Sequence, residues 1–183
     1  MADEARPVLT FDMDGVLCRP PFGINPGSGK NKRRDTAGKG GIMWHSERVR
    51  YLWRKPMPGA VTGFQALAAT YDCHVVTARG EGARGVAANW LKRYLGVAPD
   101  LYVRPHWRET SAQYKARQVV ALNPFAHFED DPFTAQWLSE LIPAVFLIDW
   151  PRNRWLEGAN IYRIREIGEA APVLAKLLAP RPA

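Results

Sequence analysis

The sequence has few cysteines and no long hydrophobic run. Its two cysteines, Cys18 and Cys73, lie far apart and belong to no CxxC or Cys–His pattern, so the sequence predicts neither a zinc site nor a disulfide framework. No apolar segment approaches the roughly 20 residues that a membrane helix needs. The opening segment "MADEARPV" carries acidic groups where a signal peptide has its hydrophobic region. We therefore expect a cytoplasmic protein with reduced thiols and no membrane partner.

The length and hydrophobic content fit one folded domain. The chain has 183 residues, of which 46% are hydrophobic, and this is enough for a substantial core. Disorder of the whole chain is excluded on the same ground. We expect a single domain over residues 1–183 that carries one small insertion, and the sequence gives no indication of the oligomeric state.

The positive charge is concentrated in one part of the chain. Residues 19–55 contain ten Lys or Arg and two Asp or Glu, which leaves 15 basic and 16 acidic residues elsewhere, although the net charge of the whole chain is +7. A localised positive field favours anionic substrates and speeds their capture. The alternative is a solvated basic loop without a binding role, and charge alone favours that alternative.

Short apolar runs alternate with segments of helical period, as is typical of a parallel sheet with crossover helices. The predicted strands are residues 7–11, 73–77, 101–104, 126–129 and 144–148. The predicted helices are residues 60–70, 82–95, 110–122, 132–141 and 167–178. The expected fold class is α/β: a Rossmann-like three-layer sandwich with a mainly parallel central sheet.

Residues 18–57 break this alternation and form the predicted insertion. The segment begins with a glycine-rich stretch and continues into "IMWHSERVRYLWRK", where Val49, Leu52 and Trp53 have the spacing of one short amphipathic helix. The stretch "GINPGSGKNKRRD" resembles an ATP-binding loop only in Gly29 and Lys30. Ile24 stands where that loop needs its first glycine, and no hydroxyl residue follows the lysine. We therefore expect no ATP cradle here.

Two aspartates follow the first predicted strand in "FDMDGV". Ligands of open parallel sheets bind beyond the carboxyl ends of the strands, where Asp12 and Asp14 can project toward one point and Gly15 permits a tight turn. The segment lacks the later oxygen ligands and the Gly of a calcium loop. The alternative is a pair of solvated turn aspartates, which the position directly after a strand disfavours.

Basic and hydroxyl groups occur at two further places in the pattern. Thr77 and Arg79 in "TARG" follow the second predicted strand and suit phosphate oxygens. Lys115 lies on the flank of a helical face that we expect to consist of Ala112, Ala116, Val119 and Val120, with Tyr114 pointing away from it. A lysine in this place either reaches the carboxylates or extends along the surface.

Three consecutive carboxylates follow the fourth predicted strand, in "HFEDDPF". Adjacent carboxylates repel one another unless a cation compensates them. Asp131 before Pro132 also has the pattern of a helix N-cap, whereas Glu129 and Asp130 have no such structural explanation. The segment therefore indicates a cation site.

The ordered motifs "DMDGV", "TAR", the helical Lys115 and "EDDP" resemble those of the haloacid dehalogenase (HAD) superfamily of phosphohydrolases. The resemblance covers roughly residues 8–154. It implies that Asp12 is the nucleophile and Asp14 the acid and base, the latter needing a raised pKa. It also implies that Thr77 and Lys115 hold the phosphate. Asp14 argues for phosphate chemistry, because dehalogenases of the superfamily lack an acid at that position.

The resemblance also implies a Mg²⁺ ion. Asp130 would ligate it together with Asp12 and the backbone carbonyl of Asp14, and Glu129 or Asp131 would support these ligands. Mg²⁺ prefers a few carboxylates plus waters, and it would cancel the repulsion between a phosphate and a carboxylate nucleophile.

Members of this superfamily commonly carry a cap between the first two motifs, and the insertion lies there. We expect Lys30, Arg33 and Arg79 to attract the substrate and Trp44 to contact it, although aromatics at this spacing, such as Trp44 and Trp53, more often pack a small helix onto the body.

The segment "LIDWPRN" together with the other motifs resembles the 5'(3')-deoxyribonucleotidase-like branch and polynucleotide 3'-phosphatases. The predicted partner is thus a nucleotide or a phosphorylated nucleic acid end. The alternatives are a phosphatase of sugar phosphates or other small metabolites, and a nucleic-acid-binding module that keeps the fold without turnover.

Overall fold

The computed structural model describes residues 5–20, 53–106 and 108–180. The strands in this part of the chain are β1 (Val8–Phe11), β2 (Asp72–Gly80), β3 (Leu101–Arg104), β4 (Ala126–Glu129), β5 (Ala144–Ile148) and β6 (Ile161–Ile164). The α-helices are α1 (Ala60–Ala68), α2 (Arg84–Leu95), α3 (Ser111–Leu122), α4 (Pro132–Ser139) and α5 (Ala170–Leu178). Short 3₁₀ turns occupy Glu81–Ala83, Pro151–Asn153 and Ile167–Glu169.

The strands form one sheet in the order β3-β2-β1-β4-β5-β6, and every pairing between them is parallel. One core cluster joins a face of the sheet to α1, α2 and α5, and a second joins the other face to α3 and α4. Both faces are thus covered, as a parallel sheet requires. The predicted α/β sandwich is confirmed. Among the described helices, none has both the length and the apolar character needed to cross a membrane.

A row of aromatic rings fixes the register of the central strands. Phe11 pairs with Phe128 and Phe128 with Phe146, with ring centroids 4.3 and 4.9 Å apart. A slip of one residue would turn this row to the opposite face, so the register is strongly determined. Asp12 directly follows the first ring and Glu129 the second. The aromatic row therefore brings these two carboxyl groups to the same edge of the sheet.

The second strand is longer than predicted, and one further strand is present. Strand β2 continues past Thr77 to Gly80, so that Arg79 lies within it instead of after it. Its register against β3 shifts between Thr77 and Gly80, and such a bulge redirects side chains without ending the strand. Strand β6 was not predicted. It has only four residues, and the polar Arg163 interrupts its apolar pattern.

The buried face of α3 is also rotated from the predicted one. Tyr114 is buried and Val120 is 61% exposed, whereas we expected Val120 in the apolar face and Tyr114 outside it. The buried face is centred on Lys115, because this side chain has carboxylate partners beneath the helix. The helix begins with a capping box of Thr110 and Gln113, as its sequence allows.

The two ends of the predicted insertion lie side by side. Cys18 and Pro56 form an antiparallel bridge, and the amide of Arg19 donates to the carbonyl of Lys55 at 2.8 Å. This arrangement is what an insertion that leaves and re-enters one domain requires. Trp53 is 85% exposed, so it does not pack onto the body. The expectations for Lys30, Arg33, Trp44, and the amphipathic helix up to residue 52 lie outside the described residues.

Candidate active site

The carboxyl edge of the sheet brings together acidic and basic side chains from three elements. Asp12 follows β1, and Glu129 and Asp130 stand at the end of β4, all three almost fully buried. Lys115 reaches them from α3 and is itself only 3% exposed. Charged groups are rarely buried unless they are paired. Their pairing therefore decides what the site can do.

Lys115 binds two of the carboxylates. Its Nζ lies 2.9 Å from Oδ2 of Asp12 and 2.6 Å from Oε2 of Glu129. Burial alone would lower the pKa of Lys115, but the two carboxylates outweigh burial and raise it. Lys115 is therefore a fixed positive charge beside Asp12. The alternative expectation, a lysine that extends along the surface, is wrong.

Glu129 uses both of its oxygens for internal hydrogen bonds. Oε1 accepts from the backbone amides of Asp130 and Asp131 at 3.0 and 3.1 Å, while Oε2 accepts from Lys115 and lies 3.3 Å from Nε2 of His127. Burial would raise the pKa of Glu129, yet Lys115 and His127 hold it well below the usual range. Each oxygen of Glu129 thus has two nitrogen neighbours. Glu129 therefore positions its neighbours and is poorly suited to bind a cation.

Asp12 and Asp130 have the chemistry of cation ligands. Oxygens of Asp12, Glu129 and Asp130 lie within 4.8 Å of one another, and of these three Glu129 is committed elsewhere. Burial raises the pKa of Asp12 well above its usual value, the nearby carboxylates add to this effect, and Lys115 only partly offsets it. The buried carboxylate of Asp12 is thus only partly compensated by Lys115, and a divalent cation would complete that compensation. Two carboxylates and one backbone carbonyl, completed by water, suit Mg²⁺.

Asp14 is held by two arginines. Nε and Nη2 of Arg79 donate to its two oxygens at 2.8 Å each, and Nη1 of Arg54 lies 3.4 Å from Oδ1. Burial opposes the ionisation of Asp14, but the charge and hydrogen bonds of Arg79, with Arg54, lower its pKa. This direction is opposite to the raised pKa that we expected of an acid at this position. The structure also gives Arg79 a carboxylate partner, whereas we predicted a phosphate.

The remaining predicted residues have structural contacts at the same edge. Thr77 is buried in β2, and its hydroxyl accepts from the amide of Arg79 at 3.3 Å. Asp131 is the N-cap of α4 and accepts from the amide and hydroxyl of Thr134 at 2.9 and 3.0 Å. These contacts are those of a helix N-cap, as the sequence allowed. A role for Asp131 in supporting the ligands of a cation stays a prediction.

Several residues of the site were not anticipated from the sequence. His127, Arg54, Arg152 and Asn153 each contact a predicted site residue or its backbone. Strand alternation could have indicated His127, because it stands two residues before Glu129 and therefore points to the same face. No comparable signal marks Arg54. Arg152 and Asn153 lie in the quoted segment "LIDWPRN", but their contacts depend on how the turn after β5 folds.

His127 lies at the base of this network. Its Nδ1 is 2.8 Å from the hydroxyl of Thr10, which faces it across β1 and β4. An imidazole that donates from Nε2 to Glu129 and accepts at Nδ1 from Thr10 satisfies both contacts in the neutral form. Burial lowers the pKa of His127, and the hydrogen bond to Glu129 only partly opposes this effect.

We predict that His127 makes the fold less stable in acid. Because its pKa is lower in the folded chain than in the unfolded one, the unfolded chain binds the proton first as the pH falls below about 6.5. The free energy of unfolding should therefore decrease between pH 7 and pH 5 by up to about 1.4 kcal/mol per pH unit from this group. Urea denaturation of the wild type and of His127→Gln over this range measures the effect as a difference of slopes. The exposed His106→Gln is the control, and equal slopes for wild type and His127→Gln would refute the assignment.

No protein-family model and no curated protein matches the sequence. Solved structures of the same fold are nevertheless found. One is the D,D-heptose 1,7-bisphosphate phosphatase of B. bronchiseptica complexed with magnesium and phosphate, with 14% identity, coverage of 93% of this chain and 98% of that chain, and a TM-score of 0.55. A haloacid dehalogenase-like hydrolase of Streptococcus pneumoniae has 14% identity, coverage of 92% and 98%, and a TM-score of 0.60.

CbbY of Rhodobacter sphaeroides, in complex with phosphate, is similar to the same extent. It has 12% identity, covers 90% of this chain and 96% of its own, and has a TM-score of 0.56. Identities this low establish a shared fold. The chain therefore shares the fold of these proteins, and its chemistry has to be inferred from the arrangement of Asp12, Lys115 and Asp130.

Proposed function

We propose that the protein is a Mg²⁺-dependent phosphomonoester hydrolase that works through an aspartyl-phosphate intermediate. The observation that carries this proposal is the contact of 2.9 Å between Lys115 and Asp12, with Asp130 beside them, at the carboxyl edge of a HAD-like sheet. A carboxylate nucleophile repels a phosphate dianion unless fixed positive charge lies next to it. Lys115 supplies such a charge at the required place.

In the first step, a carboxylate oxygen of Asp12 attacks phosphorus and the bond from phosphorus to the ester oxygen breaks. The leaving alkoxide takes a proton from Asp14. In the second step, water attacks the phosphorus of the aspartyl phosphate and gives its proton back to Asp14, and the Asp12 carboxylate leaves. The covalent intermediate thereby divides one difficult displacement into two easier ones. Lys115 and the hydroxyl of Thr77 would hold the phosphoryl oxygens in both steps.

Asp14 can serve as the acid only if its contact with Arg79 changes when substrate binds. The two hydrogen bonds of 2.8 Å favour the carboxylate form. A phosphate group at the site would offer Arg79 a second anionic partner, which weakens its hold on Asp14 and lets the pKa of Asp14 rise toward the value that proton transfer needs. In this way Arg79 would take the substrate-binding role predicted for it.

Asp12, Asp130 and the backbone carbonyl of Asp14 would hold Mg²⁺. The ion supplies charge neutralisation and orientation of the phosphoryl group when it is bound. The chain itself contributes the fixed lysine and the buried, water-poor surroundings of Asp12. Glu129 keeps both Lys115 and the backbone of Asp130 in place.

For the substrate we propose a nucleotide or a phosphorylated nucleic acid end. The support is the motif resemblance to 5'(3')-deoxyribonucleotidases and polynucleotide 3'-phosphatases together with the basic insertion, which joins the body beside Asp14. The similar structure of a heptose bisphosphate phosphatase favours sugar phosphates as the second candidate. A cytoplasmic location belongs to the same proposal, because both cysteines are buried free thiols.

The reaction is tested with p-nitrophenyl phosphate in the presence of Mg²⁺ and after chelation with EDTA. We expect turnover that requires Mg²⁺ and returns when the ion is restored. Turnover that is the same with and without the ion would contradict the metal-dependent mechanism. A panel of 5'- and 3'-mononucleotides, 3'-phosphorylated oligonucleotides and sugar phosphates then separates the two substrate classes by their kcat/KM values.

A second candidate function is binding of nucleic acid without turnover, and the charge of the insertion favours it. It predicts oligonucleotide binding that weakens steeply with salt and is lost when residues 23–41 are deleted. It also predicts no hydrolysis of any phosphate ester in the panel. Hydrolysis by the wild-type protein therefore excludes this candidate.

A further inference from the structure

Asp130 has a basic partner at the site. Arg152, in the turn after β5, donates from Nη2 to Oδ2 of Asp130, and its Nη1 lies 3.6 Å from Oδ1 of Asp131. The Arg152 side chain is only 11% exposed. A guanidinium in a confined contact with a carboxylate is a strong ion pair, unlike the weak pairs of an open surface.

The turn that carries Arg152 is fixed by hydrogen bonds of its own. Asn153 is fully buried, and its Nδ2 donates to the carbonyls of Asp130 and Ile148 at 3.0 and 2.8 Å. The indole of Trp150 donates to the carbonyl of Gly15 at 3.3 Å, which links the same segment to the loop of Asp14. Arg152 is therefore presented to Asp130 by a constrained backbone.

The basic groups around the site differ in how they are held. Lys115 is bound between Asp12 and Glu129, and Glu129 would keep it in place if Asp12 took another partner. Arg152 contacts the carboxylates of Asp130 and of the more exposed Asp131, so it can shift toward Asp131. A divalent ion bound to Asp130 would repel the guanidinium at short range. Arg152 is thus the group at the site that such an ion would displace.

We propose that Arg152 competes with the divalent cation for Asp130 and makes tight metal binding depend on a phosphate group. This inference rests on the proposed metal site. The cation adds two positive charges to a site whose carboxylates already have basic partners, and a phosphate dianion restores the balance. Cation and phosphate should therefore bind with positive coupling. The contrary interpretation is that Arg152 orients Asp130 for the cation. It predicts that loss of Arg152 weakens Mg²⁺ binding, whereas competition predicts that the loss strengthens it.

The test is isothermal titration of Mg²⁺ into the full-length protein, with and without inorganic phosphate. For the wild type we expect phosphate to tighten Mg²⁺ binding at least about fivefold. Arg152→Gln and Arg152→Leu should each bind Mg²⁺ alone about tenfold more tightly than the wild type, a change of the size that partners of metal ligands produce. In both variants phosphate should change the Mg²⁺ affinity less than it does in the wild type. Arg152→Lys keeps the charge and should resemble the wild type.

Arg154→Gln is the matched control. It removes one positive charge two residues away, from a side chain that is 62% exposed and pairs with Asp149. Its Mg²⁺ affinity should be unchanged. Gain of affinity in the Arg152 variants cannot arise from damage to the fold, because damage would weaken metal binding.

Equal or weaker Mg²⁺ binding in Arg152→Gln and Arg152→Leu would overturn the competition. If the wild type still hydrolyses p-nitrophenyl phosphate with Mg²⁺ in that case, only this inference is wrong. Absence of both Mg²⁺ binding and hydrolysis in the wild type would instead overturn the proposed function, and the inference with it.

Discussion

Replacement of Asp12 with Asn is expected to lower kcat for p-nitrophenyl phosphate by roughly 10³-fold or more, since it removes the group that accepts the phosphoryl. The amide has the same shape but cannot attack phosphorus, and it is a poorer ligand for Mg²⁺ than a carboxylate. The same change should stabilise the fold. Burial and the neighbouring carboxylates raise the pKa of Asp12, so its ionised form is costly in the folded chain. Its loss should therefore increase the free energy of unfolding at pH 7.

The combination of lost turnover and gained stability distinguishes this result from misfolding. Urea denaturation and a kcat measurement on the same preparation give both quantities. Asp72→Asn is the matched control, because Asp72 is an exposed aspartate at the opposite end of the sheet and should affect neither. Wild-type turnover in Asp12→Asn would exclude Asp12 as the nucleophile, whatever the stability.

The sequence was sufficient for the part of the site that depends on topology. Asp12 and Asp130 each directly follow a strand and Glu129 ends one, and in a parallel sheet such residues meet at one edge. Phe11 and Phe128, which set the register of β1 and β4, stand directly before Asp12 and Glu129. The same pattern therefore determines that these two carboxyl groups lie side by side. Lys115 could be placed on the correct helix but not at the centre of its buried face. A hydrophobicity pattern cannot show that a lysine is buried by its partners.

The electrostatic details could not be predicted, because they depend on side chains that are distant in sequence. Asp14 follows a strand like Asp12, yet the two carboxyl groups have pKa shifts in opposite directions. The difference comes from Arg79, which lies where the register of β2 shifts, and from Arg54 at the far end of the insertion. Arg152 likewise reaches Asp130 only because the turn after β5 is fixed by Asn153. The spacing of residues along the sequence does not predict these contacts.

Loss of the Lys115 charge is expected to damage both the fold and the reaction. Lys115→Met leaves the buried carboxylates of Asp12 and Glu129 without their shared cation, and uncompensated buried charge of this kind costs about 3 to 5 kcal/mol of stability. Turnover in the folded fraction should also decrease by roughly 10² to 10³-fold, because a fixed charge that stabilises the transferring phosphoryl group is removed. Urea denaturation gives the first quantity and kcat the second. Lys92→Met, at an exposed position of α2, should change the stability by no more than about 0.5 kcal/mol.

A double-mutant cycle with Glu129 separates the pairing from the loss of each side chain. Glu129→Gln alone should also be destabilising, because an amide cannot accept from four donors. In Lys115→Met/Glu129→Gln the carboxylate charge of Glu129 is removed together with the lysine that compensates it, and only Asp12 is left unpaired. The combined loss of stability should therefore be smaller than the sum of the single losses by about 1 kcal/mol or more. Additive losses would mean that Lys115 and Glu129 act independently. In that case the contact of 2.6 Å between them would not be what holds the lysine beside Asp12.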